Sequence, residues 1–410
     1  MLQRALTVVV PVIPGRVAEL TALLQAIGDR IDDNAHIPFA ALTTTHFCRW
    51  VVIPATGPYP AQLAFESSYD GADDAAYVAH LLQVAGPGLR TIYAHCAGLS
   101  AAPADAELTA WLLARRVAYG AFHLAYPGRS VADIRNDTRL RAAAEDFLDG
   151  ALAAGRIGAA TPPAQARALV ADHLHRQQPP LVLAPHAREP CAWGLAVRWT
   201  LLVLAALALA PLWVPVLLFK EWRDASATLG PVVAAPELRQ REDHTVQNQL
   251  THLVELKPGL FRRCVLRGVL AAIDGLAHLL FTRGRLGSIS TIHFARWVFI
   301  DDGRRLLFFS NFDGSWENYL GDFVDKAALG LSAVWSNTVG FPRTWLLVLA
   351  GARDEERFKS WTRVHQLQTQ VWFSNHPDET VDNILDNAAL RDGLAGTGAA
   401  PDARAWLRRL

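Results

Sequence analysis

Thr291-Ile292-His293-Phe294-Ala295-Arg296-Trp297-Val298 restates Thr44-Thr45-His46-Phe47-Cys48-Arg49-Trp50-Val51, and that pairing decides how the chain is read. Working outward, three more segments recur in the same order. Leu6–Gly15 matches Leu250–Gly259, each a β-rich run ended by Pro-Gly. Phe65-Glu66-Ser67-Ser68-Tyr69-Asp70-Gly71 matches Phe308-Phe309-Ser310-Asn311-Phe312-Asp313-Gly314. Tyr126-Pro127 through Arg141 matches His376-Pro377 through Arg391, sharing Val131/Val381, Ile134/Ile384 and Leu140/Leu390. Four ordered matches at a nearly constant offset predict one module used twice, at 1–150 and 244–395.

Each half reads as a strand, a helix (Arg16–Arg30; Leu260–Arg283), two strands forming a hairpin, a second helix after Asp-Gly, and a short strand. The Asp301-Asp302-Gly303-Arg304 turn is a strong hairpin signal in the second half, and a proline-bearing loop, Pro54–Pro60, replaces it in the first. The order β-α-β-β-α-β is the ferredoxin-like motif. The predicted fold class is therefore α+β: tandem duplicated ferredoxin-like modules pairing into one α+β barrel, with a membrane-inserting helical segment between them. Helix-rich extensions follow at Glu107–Leu148 and Glu356–Leu394. Residues 151–243 read as a linker, and residues 396–410 as a loosely ordered tail.

Hydrophobic residues make up 51% and charged residues 19% of the chain, against about 25% charged in ordinary soluble domains. The deficit points to apolar surface facing something other than water. Lys+Arg and Asp+Glu are equal at 39 each, so no global charge argues for a nucleic-acid partner. Cys48, Cys96, Cys191 and Cys264 show no CxxC spacing and read as reduced thiols. The apolar run Ala5–Ile13 after Arg4 imitates a signal peptide, but Pro11 and Pro14 interrupt it and the repeat makes it a core strand.

Trp199–Phe219 carries no charge over its whole length, enough for about one crossing of a ~30 Å hydrocarbon core. A single crossing would put the two modules on opposite sides of the bilayer. A monotopic insertion broken near Pro211 keeps them together, and Arg188, Arg198, Lys220 and Arg223 on the flanks favour the cytoplasmic face. The helix Gly259–Arg285 sets Arg262, Arg263, Arg267, Arg283 and Arg285 beside an apolar stripe. It reads either as lying in the headgroup region or as covering the sheet with a solvated basic edge.

Strand alternation places His293, Ala295 and Trp297 on one face, and Phe294 and Arg296 on the other. A histidine beside a tryptophan can bind a haem iron, relay a proton or serve the core, and its presence in both halves suits a structural role equally well. Asp313 reads as the N-cap of the following helix or as a general acid/base. His252 lies on the core face with Leu250 and Val254. His365 and His376 replace Arg115 and Tyr126. With Trp316, Trp335, Asn337, Trp345 and Trp372, they read either as a functional pocket in the second half or as a larger aromatic core.

This architecture, with a strand ending in Asp313-Gly314, resembles the dimeric α+β barrel superfamily, which includes dye-decolorising haem peroxidases and chlorite dismutases. The peroxidases carry Gly-x-x-Asp-Gly, and here Ser310 and Ser67 stand in the first position. The resemblance implies a peroxidase-like oxidoreductase, and the hydrophobic segment adds membrane association and an apolar or lipid substrate. Asp313, Arg296 and His293 would be catalytic. Haem would sit near His365, His293, Trp297 and His252, with His365 or His293 on the iron. The other reading is a non-catalytic membrane-surface binding or scaffold protein, holding an apolar ligand or a partner, with oligomerisation compatible with both.

Overall fold

The structure, a computed structural model, describes residues 3–158, 160–186, 193–224, 238, 242–279, 289–394 and 403–410. In the first half, β1 (Gln3–Pro11), β2 (Thr45–Ile53) and β3 (Gln62–Asp70) are covered on one face by α1 (Val17–Gly28), α2 (Asp74–Tyr93) and α3 (Asp105–Ala114). In the second, β5 (Gln247–Glu255), β6 (Ile292–Ile300) and β7 (Arg305–Asp313) are covered by α8 (Leu260–Leu279), α9 (Trp316–Trp335) and α10 (Glu355–His365). Between and after these lie β4 (Tyr119–Leu124), α4 (Val131–Ala153), α5 (Pro163–His175), α6 (Trp193–Ala208) and α7 (Ala210–Arg223), then the short β8 (Thr344–Trp345) and β9 (Leu349–Ala350). The chain closes with β10 (Val371–Ser374), α11 (Val381–Leu394) and α12 (Ala403–Leu407).

The long strands are rich in β-branched and aromatic residues, which suit a pleated surface. Alternation then sorts them. Leu6, Val8 and Val10 meet Trp50, Phe65 and the α1 residues Leu20 and Leu24 in one core, while Leu250, Val254, Trp297 and Phe308 meet Leu266, Leu270 and Tyr319 in the other. Each such fully buried aliphatic or aromatic side chain contributes roughly 1.5–3 kcal/mol. The β6–β7 turn runs through Asp301, Asp302 and Gly303, all at positive φ. Aspartate and glycine tolerate that region best.

The fourth strands are exchanged. The first sheet has the order β1-β3-β2-β10, and the second β4-β6-β7-β5, all antiparallel. The last strand of each half thus completes the sheet of the other. This corrects the expected single barrel: two four-stranded sheets form, packed face to face. Between them lie Phe47, Phe122, Tyr126 and Phe294 at one end, and Val51, Ile53, Val298 and Phe309 at the other. Arg49 and Arg296 fill the middle, so the sheets meet through side chains instead of closing edge to edge. The stretches read as helix-rich extensions also contain β4 and β10.

Outside the sheets, α4 packs on α11, and Arg391 pairs with Asp133 at 2.9 Å and Asp137 at 3.1 Å. Among the described residues of the linker and tail, Val170 and Leu174 of α5 and Trp406 of α12 share a cluster with Leu140 and Leu390. Cys48 and Cys96 are buried free thiols, Cys264 is exposed, and Cys191 lies outside the described residues.

Candidate functional site

A β-bulge places the histidines. In β2 the register steps from Thr45↔Tyr69 to Phe47↔Ser68, and in β6 from Ile292↔Phe312 to Phe294↔Asn311. His46 and His293 are therefore extra residues, and a bulge re-aims the side chain it carries. His293 packs against Phe47 and Tyr126 between the sheets, whereas Trp297 stacks on Phe308 in the second-half core. The expectation that His293 shares a face with Trp297 fails for this reason.

The two histidines have matching partners. His46 Nε2 lies 2.9 Å from Asp70 Oδ1, and the other Asp70 oxygen accepts from Val131 N at 2.7 Å. His293 Nε2 lies 2.7 Å from Asp313 Oδ1, and the other Asp313 oxygen accepts from Val381 N at 2.8 Å. Each carboxylate thus sits at the N-terminus of α4 or α11, where the helix dipole favours it. The N-cap of α9 is instead Ser315, which accepts from Asn318 N at 3.2 Å, so Asp313 caps a different helix from the one its position in sequence suggests.

Tyr126 joins the halves. Its hydroxyl is 3.1 Å from His293 Nδ1 and 3.1 Å from His376 Nε2. With His293 Nε2–H donating to Asp313, consistent assignment makes Tyr126 the donor to His293 and His376 Nε2–H the donor to Tyr126. Burial, then the charges of Asp313 and Asp70, push the Tyr126 pKa up. Burial, then the nearby His46, His293 and Arg135, hold His376 well below the ordinary histidine value. The chain Asp313–His293–Tyr126–His376 is therefore a buried hydrogen-bonded row ending on one carboxylate. His46 and His376 Nδ1 are buried with no hydrogen-bond partner. Its three ring-bearing members are buried, so the row holds strand ends to helix starts away from solvent.

Arg296 is not part of that row. It reaches across the sheets to Leu6 O at 3.1 Å, Ser67 O at 3.0 Å and Glu66 at 2.5 Å. Arg49 makes the reciprocal reach, bonding Glu66 at 2.8 Å, Leu250 O at 3.1 Å and Asn311. Burial lowers both guanidinium pKa values, and Glu66 opposes the shift. Arg296 thus serves the interface between the sheets, apart from Asp313 and His293.

His252 does face the core, against Trp335, Trp361 and His365 at ring separations of 5.0, 4.7 and 5.8 Å. Burial, with His365 adding to it, holds His252 well below the usual histidine pKa. The void beside it measures only about 10 Å³, roughly room for one water. The aromatic richness of the second half is a packed core at this point. Nothing in the surroundings of these residues supports haem. Both nitrogens of His293 are engaged, and His365 donates through Nδ1–H to Trp361 O at 2.8 Å.

A larger space opens elsewhere, between α8 and α9. This cleft of about 680 Å³ is walled by Ile273, Leu276, Phe323 and Leu331, with Trp297 at its floor and Asp325, Lys326 and Arg353 among its lining residues. That volume suits a small-molecule site. None of the described lining residues is His, Cys, Tyr or Met, so the cleft offers no haem ligand. Two features make it: α8 outruns its counterpart α1, and α9 breaks at Ala327 (φ −135°, ψ 16°) beside the small residues Ala328 and Gly330. Sequence reasoning missed the cleft, although the length mismatch between the helices was visible.

The hydrophobic segment forms α6 and α7, with Trp199–Ala208 and Ala210–Arg223 bent by 73° across Leu209. Among the described residues no single helix is long and apolar enough to cross a membrane, but the two helices of this bent pair together have that length and apolar composition. Pro211 stands in the first turn of α7, where its missing N–H costs nothing. Trp213 Nε1 donates to Ala206 O at 2.9 Å across the bend. Leu201, Leu204, Leu207, Leu209 and Leu212 are 54–70% exposed. The pair is docked beside the cleft: Trp199 lies on Gly275, where a Cβ would come within 2.1 Å of the indole, and its Nε1 donates to Ala272 O at 3.2 Å. Leu266 and Leu270 of α8 are buried against the sheet and Arg262 is buried on Asp224, so α8 covers the sheet. Arg188, Leu280, Phe281, Arg283 and Arg285 lie outside the described residues.

Comparison with protein-family models, curated proteins and solved structures finds no match.

Proposed function

We propose that this chain is a membrane-surface binding protein, with α6 and α7 lying in one leaflet and the α8–α9 cleft taking an apolar ligand from it. The observation that carries the reading is the row of exposed leucines on the bent pair, directly beside the cleft. Monomeric soluble surfaces rarely expose contiguous apolar patches larger than a few hundred Å². A helix pair bent at a proline-marked break can bury such a face in the bilayer without crossing it. The two halves are read as copies of one ancestral unit, which the paired bulges, the paired His–Asp contacts and the matching kinks at Ala85 and Ala327 support. Basic residues at both flanks of the pair support a cytoplasmic-face location.

Carbonate extraction of membranes from cells expressing the full chain tests the anchoring. Retention in the pellet is expected, and quantitative release into the supernatant overturns the reading.

A further inference from the structure

Residues Thr344–Ala350 form a tight two-stranded turn whose composition is unusual for a loop: from Trp345 to Ala350 there is no polar side chain. Leu346 and Leu347 adopt φ of 52° and 67°, a left-handed region that bulky residues rarely enter. Turns in water place Gly, Asn or Asp there. A buried carboxylate from another element holds this one. Glu221 of α7 accepts from Leu346 N at 2.7 Å, Leu347 N at 2.8 Å and Thr344 Oγ1 at 3.2 Å.

The consequence is an outward-facing apolar tip. Trp345, Leu346 and Leu349 are 40–46% exposed, while Leu347 turns inward. Beside the tip, α7 exposes Phe219 and Trp222. Two cations flank the group: Arg223 stands over the Phe219 ring at 4.5 Å, and Arg343 over the Trp345 ring at 4.6 Å, donating to Trp222 O at 2.9 Å. Tryptophan, aliphatic side chains and arginine together are the composition of the headgroup–acyl boundary, where the rings sit among headgroups and cations meet lipid phosphates.

We infer that the Thr344–Ala350 turn is a second membrane contact, seated in the headgroup–acyl boundary of a bilayer carrying anionic lipid, alongside α7. The inference rests on the membrane-surface reading above and extends it. Because Glu221 ties the turn to α7, and Asp224 at the end of α7 ties it to Lys257 and Arg262 at 2.7 and 2.6 Å, any surface that receives α7 also meets the tip. Two attachments held by one rigid joint fix how the sheets stand on the membrane, and bring the cleft toward the lipid. The occupant is a bilayer rather than a second copy of this chain, because the tip continues the apolar face of α6 and α7 and is rimmed by cations.

The experiment uses the full chain with vesicles of phosphatidylcholine and phosphatidylglycerol. Backbone hydrogen exchange across 345–350 is expected to slow on vesicle addition. The triple variant W345S/L346S/L349S should partition at least about tenfold more weakly, the equivalent of about 1.4 kcal/mol, with a circular dichroism spectrum like that of the parent. Unchanged exchange at the turn overturns the inference even where carbonate leaves the chain in the pellet. Release by carbonate with vesicle-protected 345–350 removes the inserted helix pair and leaves the turn as the contact. Loss of self-association in the triple variant with unchanged vesicle partitioning assigns the tip to a second copy and also overturns the inference.

Discussion

Glu66 on β3 is shared by Arg49, from the adjacent strand of its own sheet, and Arg296, from the facing sheet, at 2.8 and 2.5 Å. Phe309 occupies the matching place in the second half, stacked under Arg49. Two buried guanidinium groups therefore share one carboxylate, their other acceptors being backbone carbonyls and neutral side-chain oxygens. Removing one member of such a group leaves an uncompensated buried charge, which costs about 3–5 kcal/mol. Glu66→Ala is expected to lower stability by that amount in urea denaturation. Glu66→Leu combined with Arg49→Met and Arg296→Met should lose less than the single change, because no orphaned charge remains. Additive losses would show that the three act separately.

His376 and His252 are held neutral by burial, so the folded chain binds fewer protons than the unfolded chain once pH falls below the ordinary histidine pKa of about 6.5. Stability is expected to be full above that value and to fall as pH drops below it toward the depressed folded-state values. Denaturation midpoints between neutral and mildly acidic pH read this slope. His376→Gln should flatten it, and a slope unchanged in His376→Gln/His252→Gln would assign the acid sensitivity to other groups.

Asp313 joins His293 to the first turn of α11, and Asp70 joins His46 to α4. Asp313→Ala leaves Val381 N and the His293 ring without their charged acceptor. Bonds of this kind contribute about 1.5–3 kcal/mol each. Amide exchange should accelerate in the first turn of α11 and leave α4 near its original rate, with the mirrored result for Asp70→Ala. Uniform acceleration across both helices would mean the carboxylates act on the whole fold.

The α8–α9 cleft is closed most simply by bulk at Ala328, one of its lining residues. Ala328→Trp is expected to abolish binding of a fluorescent fatty acid to detergent-purified protein while carbonate extraction stays as before. Undiminished binding would place the ligand elsewhere. Haem added to the same preparation should give no Soret band that depends on His293 or His365, and a band lost in either alanine variant would restore the oxidoreductase reading.

Much of this fold is written in local pattern. The Asp301–Arg304 turn, the alternating apolar residues of β1 and β5 and the core-facing His252 follow from period and turn chemistry alone. The exchange of β4 and β10 does not, because each is short and nothing in Tyr119–Leu124 states which strand it will join. The bulge is also silent in the pattern: strict alternation assigns His293 to the face of Trp297, and one inserted residue reverses that. Asp313 illustrates a third limit, since a capping residue next to one helix can serve another that arrives from 68 positions later in the chain. The partners that His293 and Asp313 find follow from these long-range contacts.

Strand exchange has a consequence for synthesis. The β2 edge of the first sheet receives β10, which begins at Val371, so that edge stands open until Val371–Ser374 has left the ribosome. An open edge of this kind is a template for pairing with any neighbouring chain. Fragments ending before Val371 are therefore expected to aggregate, and supplying the missing C-terminal piece in the same cell should rescue them.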